Sequence, residues 1–260
     1  MEVVIQHDPE AVATLVADVI ARLVFSKPNA VLGLATGSSP LGVYSELVRR
    51  HRAGELTFGR TTAFLLDEYI GLSPDHPQSY RAFIERHFSA LVDIDPQRVH
   101  VPDGAAQDIE AACADYEMQI GKAGGIDLQL LGIGADGHLG FNEPTSSLAS
   151  RTRVKTLTEQ TRTDNNRFFR DLDEVPLHVV TQGIGTILEA RHLVLIATGA
   201  PKAEAVARAV EGPVAAMCPA SAIQLHPHAT VVLDEAAATK LTLADYYRAT
   251  FAAKPSWQSI

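Results

Sequence analysis

Apolar and polar positions alternate along the chain with two different periods, and the two periods take turns. Val12, Leu15, Val16, Val19, Ile20, Leu23 and Val24 recur every three or four residues, which lays one apolar stripe along a helix. Residues 3–6 before them suit a short strand, and Asp8 and Pro9 supply an N-cap and a first-turn proline. Residues 30–35 are continuously apolar, as in a strand buried on both sheet faces. Pro40 can then open a helix whose stripe is Leu41, Tyr44, Leu47 and Val48. The same alternation predicts a strand at 61–66 that delivers Asp67, Glu68 and Tyr69 at its C-terminal end. A loop at 71–78, a helix at 80–91, a short strand at 99–101 and a helix over about 106–122 follow.

Residues 126–133 form another apolar strand. The stretch 151–170 is polar and without clear period, and 179–188 fits a strand or a helix. A strand at 192–197, a helix bearing Lys202, a strand at 230–233 and a helical tail over about 243–252 complete the chain. Strands alternating with helices imply an α/β fold with a mostly parallel sheet covered on both faces. No linker, repeat or low-complexity stretch interrupts it, so residues 1–260 are expected to form a single domain.

The strand at 126–133 breaks into a glycine-rich turn carrying Asp136, His138 and Glu143 within eight residues. A histidine flanked by carboxylates suits proton transfer, because a carboxylate fixes its tautomer and raises its basicity. Asp67 ends an apolar strand, where a carboxylate is costly unless it is solvated, paired or catalytic. Thr36, Gly37, Ser38 and Ser39 lie between a strand and a helix. Backbone N–H groups, small hydroxyls and the helix dipole there suit an anion. The loop lacks the Gly-Lys-Ser/Thr ending of a Walker A motif and the Gly-x-Gly-x-x-Gly of a dinucleotide site. Lys202 follows a second strand-to-helix turn of the same kind, and Arg167 offers a guanidinium beside Phe168 and Phe169. His226 and His228 have no third ligand at useful spacing, so no metal is expected there.

Composition narrows the function classes. The formal charge of −9 argues against a general nucleic-acid binder, and an anionic substrate would need a local positive site. No apolar run approaches the ~20 residues of a membrane span. The N-terminus shows no signal-peptide pattern. Cys113 and Cys218 sit in unrelated contexts, as expected of inert packing residues in a reducing cytoplasm.

Leu66-Asp67-Glu68-Tyr69, Gly134-Ala135-Asp136-Gly137-His138, Phe141-Asn142-Glu143-Pro144, the run 147–153 and Gln224-Leu225-His226-Pro227 together resemble glucosamine-6-phosphate deaminase, of the glucosamine/galactosamine-6-phosphate isomerase family. The likeness covers almost the whole chain and is most specific over 134–156. It implies a three-layer α/β/α Rossmann-like sandwich that converts D-glucosamine 6-phosphate to D-fructose 6-phosphate and ammonia, without metal or organic cofactor. It implies that Asp67 is the base at C2 and that His138 opens the pyranose ring, with Asp136 and Glu143 as its partners. Thr36 to Ser39, Arg167 and Lys202 match phosphate-binding positions. Ser146, Arg153 and Lys155 match the positions that bind N-acetylglucosamine 6-phosphate in allosteric members. The tail over 241–260 looks more like that of shorter, non-allosteric members, so regulation and the size of any homo-oligomer stay open.

Two alternatives share the scaffold. A 6-phosphogluconolactonase would continue its Asp-Gly-His turn into Ser-x-Phe-Pro, where this chain has Phe141-Asn142-Glu143-Pro144. A sugar-phosphate-sensing regulator domain would have no use for Asp67 together with His138.

Overall fold

The computed structural model describes residues 1–260 apart from 74, 166–168, 170, 256 and 259, and apart from the side chains of 160, 164 and 165. Arg167 therefore lies outside the described residues. In chain order the first half contains β1 (Glu2–Gln6), α1 (Pro9–Ser26), β2 (Val31–Leu34), α2 (Leu41–Arg52), β3 (Thr62–Leu65), β4 (Asp67–Tyr69), α3 (Tyr80–His87), β5 (Val99–His100), α4 (Ile109–Lys122) and β6 (Leu128–Gly132). The second half contains β7 (Arg153–Thr156), α5 (Glu159–Asn165), β8 (His178–Thr181), α6 (Ile184–Leu188), β9 (Leu193–Ala197), α7 (Ala203–Val210), β10 (Ala229–Asp234) and α8 (Ala244–Ala252).

Seven strands form the main sheet in the order β1-β10-β9-β6-β2-β3-β5, and every neighbouring pair is parallel. Consecutive strand residues face opposite sides, so each central strand feeds two cores. Val31, Phe64, Leu131, Leu195 and Val231 pack with Tyr116 and Ile120 of α4, Ile184 and Ile187 of α6, and Val206 and Val210 of α7. Leu32, Leu65, Leu130, Val194 and Val232 pack on the other side with α1, α2 and Ile84 of α3. Each such aliphatic burial is worth roughly 1.5–3 kcal/mol, which fixes both helical layers on the sheet. Asp8 caps α1 by accepting from the Ala11 N–H at 2.8 Å, as the sequence pattern predicts.

Strand order places the site. From β2 the chain moves outward to β3, whereas β6 lies on the other side of β2 and is followed across the sheet by β9. Loops leaving β2 and β6 therefore part at a topological switch point, where open α/β sheets leave a crevice at their carboxyl ends.

Three departures from the sequence pattern matter here. Asp67, Glu68 and Tyr69 do not prolong the preceding strand. β3 stops at Leu65, and β4 joins a second, antiparallel sheet ordered β4-β8-β7. Leu66 is the joint: its N–H donates to Leu34 O in the main sheet, and its carbonyl accepts from the Gln182 N–H. The ambiguous stretch 179–188 holds both candidates, β8 and then α6. Gly183 separates them at a point where a Cβ would lie 2.1 Å from Ser150 O. The helix expected over 80–91 ends early, because Phe88 (φ −147°, ψ −71°) leaves helical geometry before a 3₁₀ turn at Ser89–Leu91. Among the described residues no helix is long and apolar enough to cross a membrane.

Candidate active site

A cavity of about 480 Å³ opens at the switch point. The loop after β2 contributes Thr36, Gly37, Ser38 and Ser39 to its wall, and Lys202 at the start of α7 also lines it. Tyr44 of α2 donates its hydroxyl to Ala35 O at 2.6 Å, clamping the strand end from which the loop springs. Gly37 has φ +86°, and this left-handed conformation turns the chain toward the helix. Opposite stand Gln78, Ser79 and Tyr80 at the start of α3.

Asp67 enters the cavity from β4. Tyr116 Oη and Gln182 Nε2 both donate to Leu65 O, at 2.6 and 3.0 Å, so the chain is held just before the carboxylate. Gly140 (φ +57°) lets it sit close: a Cβ there would lie 2.9 Å from Thr181 Oγ1 and 3.4 Å from Asp67 Oδ2. Asp67 is buried, and its Oδ1 has no hydrogen-bond partner among the described residues. Burial first, then the adjacent Glu68 carboxylate, push its pKa up to about 8 against the opposing pull of His138. Glu68 faces away and accepts from the N–H groups of Tyr69, Tyr80 and Arg81 at 2.8–3.0 Å. It thereby ties the first turn of α3 to the strand that carries Asp67.

His138 reaches the same cavity from the turn after β6. Asp136 Oδ1 accepts from the His138 N–H at 3.1 Å and lies 2.7 Å from Nδ1, off the direction of a well-aligned hydrogen bond. Glu143 Oε2 is 3.7 Å from the same nitrogen and is buried. Burial opposes a charge on the ring, but the two carboxylates outweigh it and raise the imidazole pKa to about 9. Desolvation likewise opposes ionisation of Asp136, and His138 overcomes it, leaving Asp136 well below the usual carboxylate range. One imidazole and two carboxylates, with ligand atoms within 4.8 Å of one another, form the only such grouping among the described residues. A divalent cation placed there would compete with the proton the carboxylates hold on the ring.

The remaining candidates fall elsewhere. Arg153 and Lys155 share one face of β7, and Arg153 donates to Asn142 Oδ1 at 2.9 Å, one residue from Glu143. Arg153 also donates to Arg151 O at 3.3 Å. Ser146 Oγ is buried without a hydrogen-bond partner among the described residues, and none of the three lines the cavity. His226 places both ring nitrogens against backbone groups of Ala190 and His228. Sequence reasoning missed Thr161, which lines the cavity and contacts Glu143, and the α3 wall held by Glu68.

Residues 7–233 match the model of the family described as glucosamine-6-phosphate isomerases/6-phosphogluconolactonase. The chain belongs to this family. Within it, proteins named glucosamine-6-phosphate deaminase from Arthrobacter sp. (strain FB24) and Mycolicibacterium smegmatis are 63% and 62% identical to it, covering the whole of both chains. A solved structure of a monomeric glucosamine-6-phosphate deaminase superposes with a TM-score of 0.90 at 44% identity, over 92% of this chain and all of that one. The 6-phosphogluconolactonase from Trypanosoma cruzi gives 0.75 at 19% identity, over 93% of this chain and 97% of that one, a likeness of fold alone.

Proposed function

We propose that this protein is a glucosamine-6-phosphate deaminase, converting D-glucosamine 6-phosphate and water to D-fructose 6-phosphate and ammonia in amino-sugar catabolism. The observation that carries this reading is the meeting, in one cavity, of a buried carboxylate of raised pKa and a carboxylate-flanked imidazole. They face a hydroxyl- and amide-rich loop with a lysine. Full-length identity to deaminases supports it.

In this mechanism the phosphate rests on the loop 36–39 and Lys202, with Arg167 as a further cation. His138 transfers a proton at the ring oxygen as the pyranose opens to the aldehyde. Asp67 then takes the proton from C2, and the electron pair forms an enol across C1 and C2. Reprotonation at C1 leaves an iminium at C2. Water adds there, and the C–N bond breaks to release ammonia and the ketone. One base serving two adjacent carbons suits an aldose–ketose isomerisation. A pKa near 8 makes Asp67 a stronger base than a solvated carboxylate, at the cost of being mostly protonated at neutral pH.

We further propose that residues 1–260 act as one unit in the cytoplasm. Two buried free cysteines suit a reducing compartment, and the monomeric solved relative favours a small assembly over a hexamer. Ammonia release from purified protein, with and without N-acetylglucosamine 6-phosphate, tests the reading. Absence of release from glucosamine 6-phosphate, with hydrolysis of 6-phosphogluconolactone instead, would overturn it.

A further inference from the structure

We propose that Thr161 is a positioning residue for the acid–base centre: its hydroxyl holds Glu143 against His138 and so couples α5 to proton transfer. The inference rests on the reading of His138 as the ring-opening group.

Thr161 is buried in α5 and lines the cavity. Its Oγ1 lies 2.5 Å from Glu143 Oε1, and an ionised carboxylate only accepts, so the threonine must donate. Its oxygen in turn accepts from Thr158 Oγ1 at 3.0 Å. Thr158 also caps the helix, its hydroxyl accepting from the Thr161 N–H at 3.1 Å and its carbonyl from the Arg162 N–H. A one-way chain of donors therefore runs from the start of α5 into Glu143, and such chains polarise one another.

The consequence is rotational. The terminal torsion of a glutamate is broad and roughly two-fold, so a buried carboxylate needs a partner to fix which oxygen points where. With Oε1 occupied by Thr161, Oε2 is left facing His138 Nδ1 at 3.7 Å, with no hydrogen-bond partner of its own among the described residues. Four residues beyond α5, Phe169 lines the same cavity and packs against Tyr69. One short segment thus touches both the substrate's space and the carboxylate that charges the imidazole. The seat of Thr161 in α5 therefore sets which carboxylate oxygen of Glu143 faces the imidazole.

Thr161→Val removes the hydroxyl and keeps the shape, and Thr161→Ser keeps the hydroxyl. The His138 titration is followed by NMR in the ligand-free protein, beside kcat and KM for glucosamine 6-phosphate. In Thr161→Val the imidazole midpoint is expected to fall, because Glu143 is no longer held against it. There kcat should drop roughly 10–100-fold, as for loss of an orienting partner. KM should stay within about twofold, since substrate binding is not the function removed. Thr161→Ser should restore both the midpoint and kcat. An unchanged or raised midpoint in Thr161→Val, or no rescue by serine, overturns the proposal. Thr161→Ala gives the same readings if the valine variant does not fold. The titration needs no substrate, so it decides the role of Thr161 even if the wild-type protein released no ammonia.

Discussion

The imidazole of His138 occupies the space in which a side chain on Gly134 would begin: a Cβ there would lie 2.2 Å from Cε1 and 2.3 Å from Nδ1. The two residues are also joined through the backbone, Gly134 N–H to His138 O at 3.0 Å. Gly134→Ala must therefore move the ring, since the backbone turn leaves it nowhere else to yield. The expected result is a loss of roughly 10–100-fold in kcat, the scale of a misplaced catalytic group. Circular dichroism should show native secondary structure. Wild-type turnover in this variant would mean that the ring's position is irrelevant to the chemistry.

Asp67→Asn should bind phosphosugar and fail to deaminate it, with kcat lower by ~10²–10⁴-fold as for a lost general base. It should also be the more stable protein at alkaline pH. The folded-state pKa of Asp67 is raised, so its favourable proton uptake is fully present below the ordinary value of 3.8 and is lost as pH rises through about 8. An amide carries no such cost. Thermal melts of both proteins at pH 6 and pH 9 check the sign: the advantage of asparagine should grow with pH.

The proposed mechanism needs Asp67 ionised and, for ring opening by the charged imidazole, His138 protonated. With values of about 8 and about 9, kcat/KM should climb through the first and decline past the second. Asp136→Asn removes the nearest partner of the ring, so the descending limb should move to lower pH. The stabilisation that His138 gains from its carboxylates is present below its ordinary 6.5 and lost as pH rises through about 9. The gap in melting temperature between the wild type and Asp136→Asn should accordingly narrow from pH 6 to pH 10. A descending limb that stays in place would mean that Asp136 does not set the protonation of His138.

Lys202→Ala should raise KM for glucosamine 6-phosphate by the equivalent of roughly 1.5–3 kcal/mol, the worth of a hydrogen bond to a charged group. Unphosphorylated glucosamine should be affected far less. Equal losses for the two sugars would place the phosphate elsewhere in the cavity.

Saturation curves should be hyperbolic and insensitive to N-acetylglucosamine 6-phosphate. Arg153 already donates to Asn142, and activation also requires a second global state that the activator prefers. A sigmoidal curve that the compound makes hyperbolic, and that Arg153→Ala keeps sigmoidal in its presence, would contradict this.

Much of this site was legible in the sequence because its parts sit where strong patterns end. The loop 36–39, Lys202 and the Asp136–His138 turn each follow a continuous apolar strand, and burial on both faces makes such strands easy to read. Asp67 stands out for the same reason: the strand at 61–66 is present as β3, and only the separate strand β4 that carries Asp67 goes unread. The change from parallel to antiparallel pairing at Leu66 leaves no mark on local periodicity. Thr161 and Thr158 were hidden because 151–170 has no apolar period. β7 is a four-residue edge strand with Val154 exposed, and α5 is seven residues long, too short to show a stripe. The hydroxyl chain exists only once the loop after β6 and α5 are brought together, which no window of sequence displays.

The joint at Leu66 separates two tasks that a substrate experiences as one. In the proposed mechanism the grip on the phosphate belongs to the parallel sheet and the base to the small antiparallel sheet, with one residue between the ends of β3 and β4. Side chains alternate along such a segment, so losing or gaining a single residue there would swap the direction of Asp67 while the loop 36–39, Lys202 and His138 kept their places. The product of that slip would be a protein that still holds a sugar phosphate and no longer transforms it. In that mechanism an enzyme and a receptor for its substrate differ by one residue at this joint.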